Sequence, residues 1–160
     1  MIHLTRKFTT AAMMVEVLKK MFLRDLGKLK TEIELYRDEQ KIWYAEKQIT
    51  NTAGNLCLHL VGNLNAYIGA ELGENGYIRH RELEFSLRDI PRAELIKAID
   101  ETTLMLAATF DKISDHQLAE EYPQIVMDGK VTTGYFLTHL AMHLSYHLGQ
   151  VNYHRRLLDN

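Results

Sequence analysis

The sequence contains one cysteine, two prolines and nine glycines in 160 residues, and each scarcity narrows what the chain can be. A lone Cys57 forms no intrachain disulfide, so a disulfide-stapled scaffold is excluded and a reducing cytoplasm is the expected setting. Between Leu56 and Leu58, Cys57 reads as a small buried side chain; a catalytic thiol is the less supported alternative. No apolar run approaches the length of a membrane span, and Met1 to Lys7 lead into a polar and apolar mixture without a signal-peptide core. Charge of one sign is also lacking. Nineteen basic residues face 21 acidic ones, a formal net charge of −2. Binding to a phosphate backbone needs a clustered basic surface, so a nucleic-acid partner is not expected.

What remains is a globular composition, 46% hydrophobic and 25% charged, in a chain long enough for one domain spanning residues 1–160. The scarce glycines and prolines fall mostly at breaks between helical patterns. From about Thr9 to Asp38, Met14, Val17, Leu18, Met21, Phe22, Leu26, Leu29, Ile33 and Tyr36 recur at helical spacing. Residues 39–50, with Trp43 and Tyr44, read as a connection. Thr50, Asn51 and Thr52 offer caps for a second helix to about Leu72, apolar on nearly every side and so the most buried. Gly73 and Gly76 supply two possible left-handed caps. A long polar loop, Tyr77 to Asp89, precedes a third helix with Pro91 as its first residue and Leu95, Ile99, Thr102, Leu106, Thr109 and Phe110 along one side. Ser114-Asp115 opens a linker, and Met127 to Val131 form a tight turn between short extended pieces. Thr132 or Thr133 caps a fourth helix to about Leu158. The expected fold is all-α, a four-helix bundle with a long loop between helices two and three and a short turn region before helix four.

The fourth helix carries the chemistry. At about 100° per residue, His147, Gln150 and His154 fall within about 40° of His143, with His139 close by. Leu137, Leu140, Leu144, Leu148 and Val151 flank this polar stripe on one side; Tyr135, Met142, Tyr146 and Tyr153 flank it on the other. The stripe is therefore expected in the middle of the buried face. An unpaired polar group there costs on the order of 1–3 kcal/mol. Hydrogen bonds within the core would satisfy a lone histidine. A metal would satisfy several, and His143 and His147 have the i, i+4 spacing of two-histidine helical sites. His59, alone in the second helix with Asn55, Gly62, Asn63 and Ala66 around its face, is the natural third ligand. His3, His80 and His116 lie near a terminus or in polar loops and are weaker candidates. His139 and His154 are expected to line the pocket or support the ligands, as is Gln150 unless it is a surface amide.

His143-Leu144-Ser145-Tyr146-His147-Leu148-Gly149-Gln150 resembles the H-x-x-x-H-x-G-Q signature of the DinB-like superfamily, which is grouped with the YfiT-like metal-dependent hydrolases. His59 matches the histidine of that superfamily's second helix. Arg79-His80-Arg81-Glu82-Leu83-Glu84-Phe85 is similar to the R-x-R-x-x-E-F pattern of one uncharacterised branch. The resemblance covers nearly the whole chain. It implies a metal-binding four-helix bundle, with His59, His143 and His147 on nickel, zinc or another divalent ion and water in the open positions. It also implies homodimers and, among some relatives, thiol-dependent S-transfer with a low-molecular-weight thiol.

Two functional readings follow. One is a divalent-metal-dependent enzyme acting on a small molecule, a thiol-dependent S-transferase or a hydrolase, with an accessible site lined by residues such as His139, Tyr146 and Trp43. The other is a non-catalytic metal- or ligand-binding bundle acting through dimerisation, with a closed site. No general acid or base stands out, since no carboxylate falls on the His143 stripe. Arg79, Arg81 and Glu84 could contact a substrate carboxylate or a thiol cofactor. The favoured alternative is a salt-bridged clasp on the long loop.

Overall fold

The computed structural model describes residues 10–46 and 48–159. All of its regular elements are helices: α1 (Thr10–Glu34), α2 (Ala53–Leu64), α3 (Arg81–Ser86), α4 (Arg92–Phe110), α5 (Asp115–Ala119) and α6 (Thr133–Leu158). The four long ones pack in a closed order: α1 lies against α4 and α6, and α2 lies against the same two helices from the other side.

Among the described residues of α1 the buried apolar ones are Val15, Leu18, Phe22, Leu26, Leu29 and Ile33, continued by Tyr36 beyond the helix end. Steps of three and four residues keep them on one stripe. Met14, Val17 and Met21, expected to share this face, are exposed on its flank instead. The helix also stops at Glu34, short of Asp38, because Asp38 caps a separate 3-10 turn (Glu39–Trp43) by accepting from Gln40 N at 2.9 Å. A side chain that can bond to the backbone nearby competes with continuation of the helix.

Capping by threonine starts the helices that bear the histidines. Thr52 accepts from Asn55 N at the head of α2, and Thr132 accepts from Tyr135 N at the head of α6. The expected second helix changes pitch partway: the α-helix passes into a π-helical stretch, Asn65–Ala70, where Asn65 Nδ2 bonds to Val61 O and Thr102 Oγ1. Beyond it Gly76 and Glu74 take positive φ, 73° and 51°; Gly73 does not. Leu95, Ile99, Thr102, Leu106, Thr109 and Phe110 of α4 are all buried as expected, and Pro91 caps that helix from one position earlier than expected.

Two segments read as loop or linker hold short helices. α3 lies inside the polar stretch after α2. α5 follows Ser114, which forms a reciprocal capping box with Gln117. Before α6, extended backbone pairs Glu121 with Thr132, and Tyr122 N donates to Val131 O at 2.9 Å. Trp43 is a core residue and does not line the histidine cavity. Its indole donates to Ile90 O, and a Cβ on Gly54 would stand 2.6 Å from its ring, so only glycine lets α2 approach it. Cys57 is fully buried, and burial pushes its thiol up to about 12, which fits packing and not nucleophilic attack. No helix among the described residues is long and apolar enough to cross a membrane.

His154 ties three segments together. Its Nε2 lies 2.8 Å from Tyr44 O, a carbonyl that can only accept, so Nε2 carries the proton. Nδ1 then accepts from Tyr36 Oη at 2.6 Å. The histidine is 3% exposed and neutral, its pKa lowered by burial against a smaller opposing pull from the Tyr44 carbonyl. It is a hydrogen-bonded core residue, about two turns of α6 beyond His147. Replacing Tyr36 by Phe leaves Nδ1 buried without a donor; chemical denaturation is expected to show a loss of about 1–2 kcal/mol.

Candidate metal centre

The histidine stripe lies at the edge of the buried face of α6, not along its middle. Leu137, Leu140, Leu144 and Val151 on one flank are buried, while Tyr135, Met142, Tyr146 and Tyr153 on the other are 58–68% exposed. Only one flank meets α1 and α2, so His143 and His147 sit half-buried where the core opens to solvent. A site for exchangeable ligands needs that position.

His59 crosses from α2 to meet them. Its Nε2 is 3.1 Å from His143 Nε2, and His147 Nε2 is likewise 3.1 Å from His143 Nε2. One nitrogen from each ring lies within 4.8 Å of the others, so the three form a group that could hold a metal ion. Nitrogens bound to one zinc- or nickel-like ion by bonds of about 2.1 Å, at tetrahedral to octahedral angles, stand about 3.0–3.4 Å apart. The two short separations fall in that range. His3 lies outside the described residues. His80 is exposed at the head of α3, and His116 is exposed and paired with Glu120.

The hydrogen bonds behind the rings determine which nitrogens face inward. His59 Nδ1 donates to Glu84 Oε2 at 2.9 Å, and His147 Nδ1 donates to Gln150 Oε1 at 2.6 Å. In neutral rings this leaves bare lone pairs on both Nε2 atoms, aimed at the His143 nitrogen. His143 has at most one proton to offer there, so one contact at least sets lone pair against lone pair. A cation among the three nitrogens removes that repulsion. The His143 proton then belongs on Nδ1, which is buried without a partner. Asn63 Oδ1, an acceptor, is also buried without a partner, and both residues line the same cavity.

Glu84 is the functional residue that helix periodicity missed. It reaches His59 from α3, is 5% exposed, and receives Arg79 Nε on Oε1 at 2.7 Å and Arg79 Nη2 on Oε2 at 2.9 Å. Burial works to raise its pKa, but the bonds from His59 and Arg79 and the Arg79 charge overcome it and hold the carboxylate below its usual range. A Cβ at position 62 would overlap the Glu84 carboxylate, so Gly62, one turn after His59, opens the slot that admits it. The Arg-Glu clasp is present, then, but it is built onto His59 as well as holding the loop. The signal for its bond to His59 was the combination of Gly62 beside His59 with the charged Arg79–Phe85 segment some twenty residues on.

Beside the imidazoles is an open cavity of about 330 Å³. Its walls include Asn63, Tyr67, Arg79, Arg81, Phe136 and His139, together with His59 and His143. His139 is exposed, with its ring stacked 5.9 Å from that of Phe136. Tyr146 is also exposed, its ring 5.2 Å from that of His147.

A protein-family profile described as "Protein of unknown function (DUF1572)" matches residues 9–160. The chain belongs to this family. No curated protein matches it. Within this family member, the match spans all four long helices and all three converging histidines.

Burial pulls the His143 pKa down to about 4, helped by the neighbouring His147, His59 and His139, and it lowers that of His147 as well. An unfolded histidine titrates near 6.5, so between that pH and about 4 the unfolded chain binds more protons than the folded one. The contribution of these histidines to stability is therefore complete above pH ~6.5 and falls as pH drops toward ~4. Urea unfolding of chelator-treated protein is expected to give a lower midpoint at pH 5 than at pH 7. A His143→Phe variant should lose part of that difference.

Proposed function

We propose that this chain is a DinB-like four-helix bundle that holds a divalent ion, nickel or zinc, on His59, His143 and His147. We propose further that it is an enzyme using that ion on a small molecule, in thiol-dependent S-transfer or in hydrolysis. The observation that carries the reading is the convergence of three imidazole nitrogens, two with lone pairs oriented inward by Glu84 and Gln150, beside an open cavity. The closed packing order of α1, α4, α2 and α6 supports the bundle.

When bound, such an ion keeps its full charge on three neutral ligands, and so lowers the pKa of a water or thiol and polarises a carbonyl. The protein's own groups supply the rest. Glu84 fixes the His59 ring, and Arg79 keeps Glu84 ionised and pointed at it. Gln150 does the same for His147 from within α6. His139 stands on the cavity wall with an exposed imidazole, suitably placed to accept or return a proton to a molecule bound there. The openness of the cavity favours chemistry over a purely structural site, which would be closed.

Elemental mass spectrometry on protein purified without a histidine tag tests the centre. Near-stoichiometric nickel or zinc is expected, with loss of the metal in His143→Ala. In Glu84→Gln, competition with a chelator should show metal affinity about 10–100-fold weaker. Substoichiometric metal in the wild-type protein after incubation with both ions would sink the reading. In cobalt-loaded protein, an absorption change on adding a low-molecular-weight thiol supports S-transfer, and the lack of one leaves hydrolysis.

A further inference from the structure

The two arginines beside the histidines are in different electrostatic states. Arg79 uses Nε and Nη2 on Glu84, and that carboxylate balances its charge. Arg81 has no carboxylate partner among the described residues. Its guanidinium rests 5.7 Å from the centre of the Phe85 ring, and Phe85 in turn packs 5.0 Å from the ring of His59. A guanidinium held by its face keeps its N–H edges available for a planar oxyanion. Arg81 is exposed and lines the cavity that His59 and His143 also line. No aspartate or glutamate contributes to that cavity's wall. Its remaining wall is formed by Tyr67, the His139 imidazole, Asn63, Val126 and Leu140, with Phe136 nearly buried behind them.

We propose that this cavity binds a small anionic molecule, a carboxylate or a phosphate ester, with its oxyanion on Arg81 and its body against Tyr67 and the His139 ring. Three features carry the assignment: an uncompensated guanidinium, the absence of any acidic group from the wall, and an aromatic lining. The anion site stands on those residues. That its ligand is the substrate rests on the metal-centre reading above. The geometry then orders the molecule, anion toward Arg81 and reacting group toward His59 and His143.

Calorimetric titration of the full chain with benzoate, phenyl phosphate and neutral benzamide tests this, on both metal-free and zinc-loaded protein. In the metal-free protein at least one anion is expected to bind, and benzamide more weakly. Arg81→Gln is expected to weaken the anion by about tenfold or more, and Arg81→Lys by less, since lysine keeps the charge but loses the fork. A preference for one anion identifies carboxylate or phosphate as the group recognised. Anion affinity unchanged in Arg81→Gln, equal affinity for benzamide, or no binding of any probe at millimolar concentration overturns the proposal. The metal-free arm separates the two readings. Arg81-dependent binding in a protein that takes up no zinc leaves the anion site standing and removes the metal centre. Stoichiometric zinc without Arg81-dependent binding does the reverse. Because Arg81 is exposed, the melting temperature of Arg81→Gln should match that of the wild type.

Discussion

The buried carboxylate of Glu84 is the group on which the site geometry depends. It accepts a hydrogen bond from His59 Nδ1 and two from the Arg79 guanidinium, so one side chain orients a ring on α2 and anchors the segment that leads into α3. An ionised carboxylate in an interior is costly unless such partners surround it. Here they do, and Asn55 Nδ2 reinforces the arrangement by donating to the backbone carbonyls of Glu84 and Leu87. Remove the carboxylate and the His59 ring loses its tautomer preference, Arg79 keeps a charge without a partner, and the slot beside Gly62 empties.

A second constraint comes from where α6 lies. Its leucine flank is sealed against the core while its tyrosine flank is exposed, and that asymmetry leaves His143 and His147 at a rim. The depressed pKa of His143 follows from its burial and from its imidazole neighbours, which keep that ring neutral and hence able to act as a ligand at ordinary pH. The same helix carries His154 a few turns on, fully inside and satisfied by Tyr36 and Tyr44. One periodic stripe thus holds two different kinds of histidine, separated only by how deeply each turn sinks into the protein.

The long helices were legible because their information is local and repeated. The α4 face from Leu95 to Phe110 could be read residue by residue, and the caps of α2 and α6 to within the Thr50–Thr52 and Thr132–Thr133 alternatives, of which Thr52 and Thr132 are used. His59, His143 and His147 were legible as a group, since the i, i+4 pair and the histidine in the most apolar helix each break a pattern. What could not be read was depth. Helical projection places Tyr135, Met142, Tyr146 and Tyr153 beside the stripe, but only the packing of α1 and α2 shows that this flank stays outside. Glu84 is legible as a partner of Arg79 but not as a partner of His59, for a related reason. It sits in a six-residue helix too short to show a period, and its meaning comes from a contact with Gly62 and His59 more than twenty residues away. Trp43 reads from the sequence as a pocket residue because nothing local reveals that Gly54 leaves room for its ring in the core.

The distribution of these groups along the chain has a consequence for how such a protein can change. Arg79, Arg81, Glu84 and Phe85 all approach the histidines from one short stretch between α2 and α4, whereas the apolar stripes that hold the helices together lie elsewhere. Under the proposed anion site, exchanging the exposed Arg81 changes what the cavity attracts and leaves the interior packing untouched. Glu84 is fixed by its burial; Arg81 is not. The segment therefore acts as a faceplate on the packed frame, with Glu84 committed to the interior and Arg81, about one helical turn away, left at the surface.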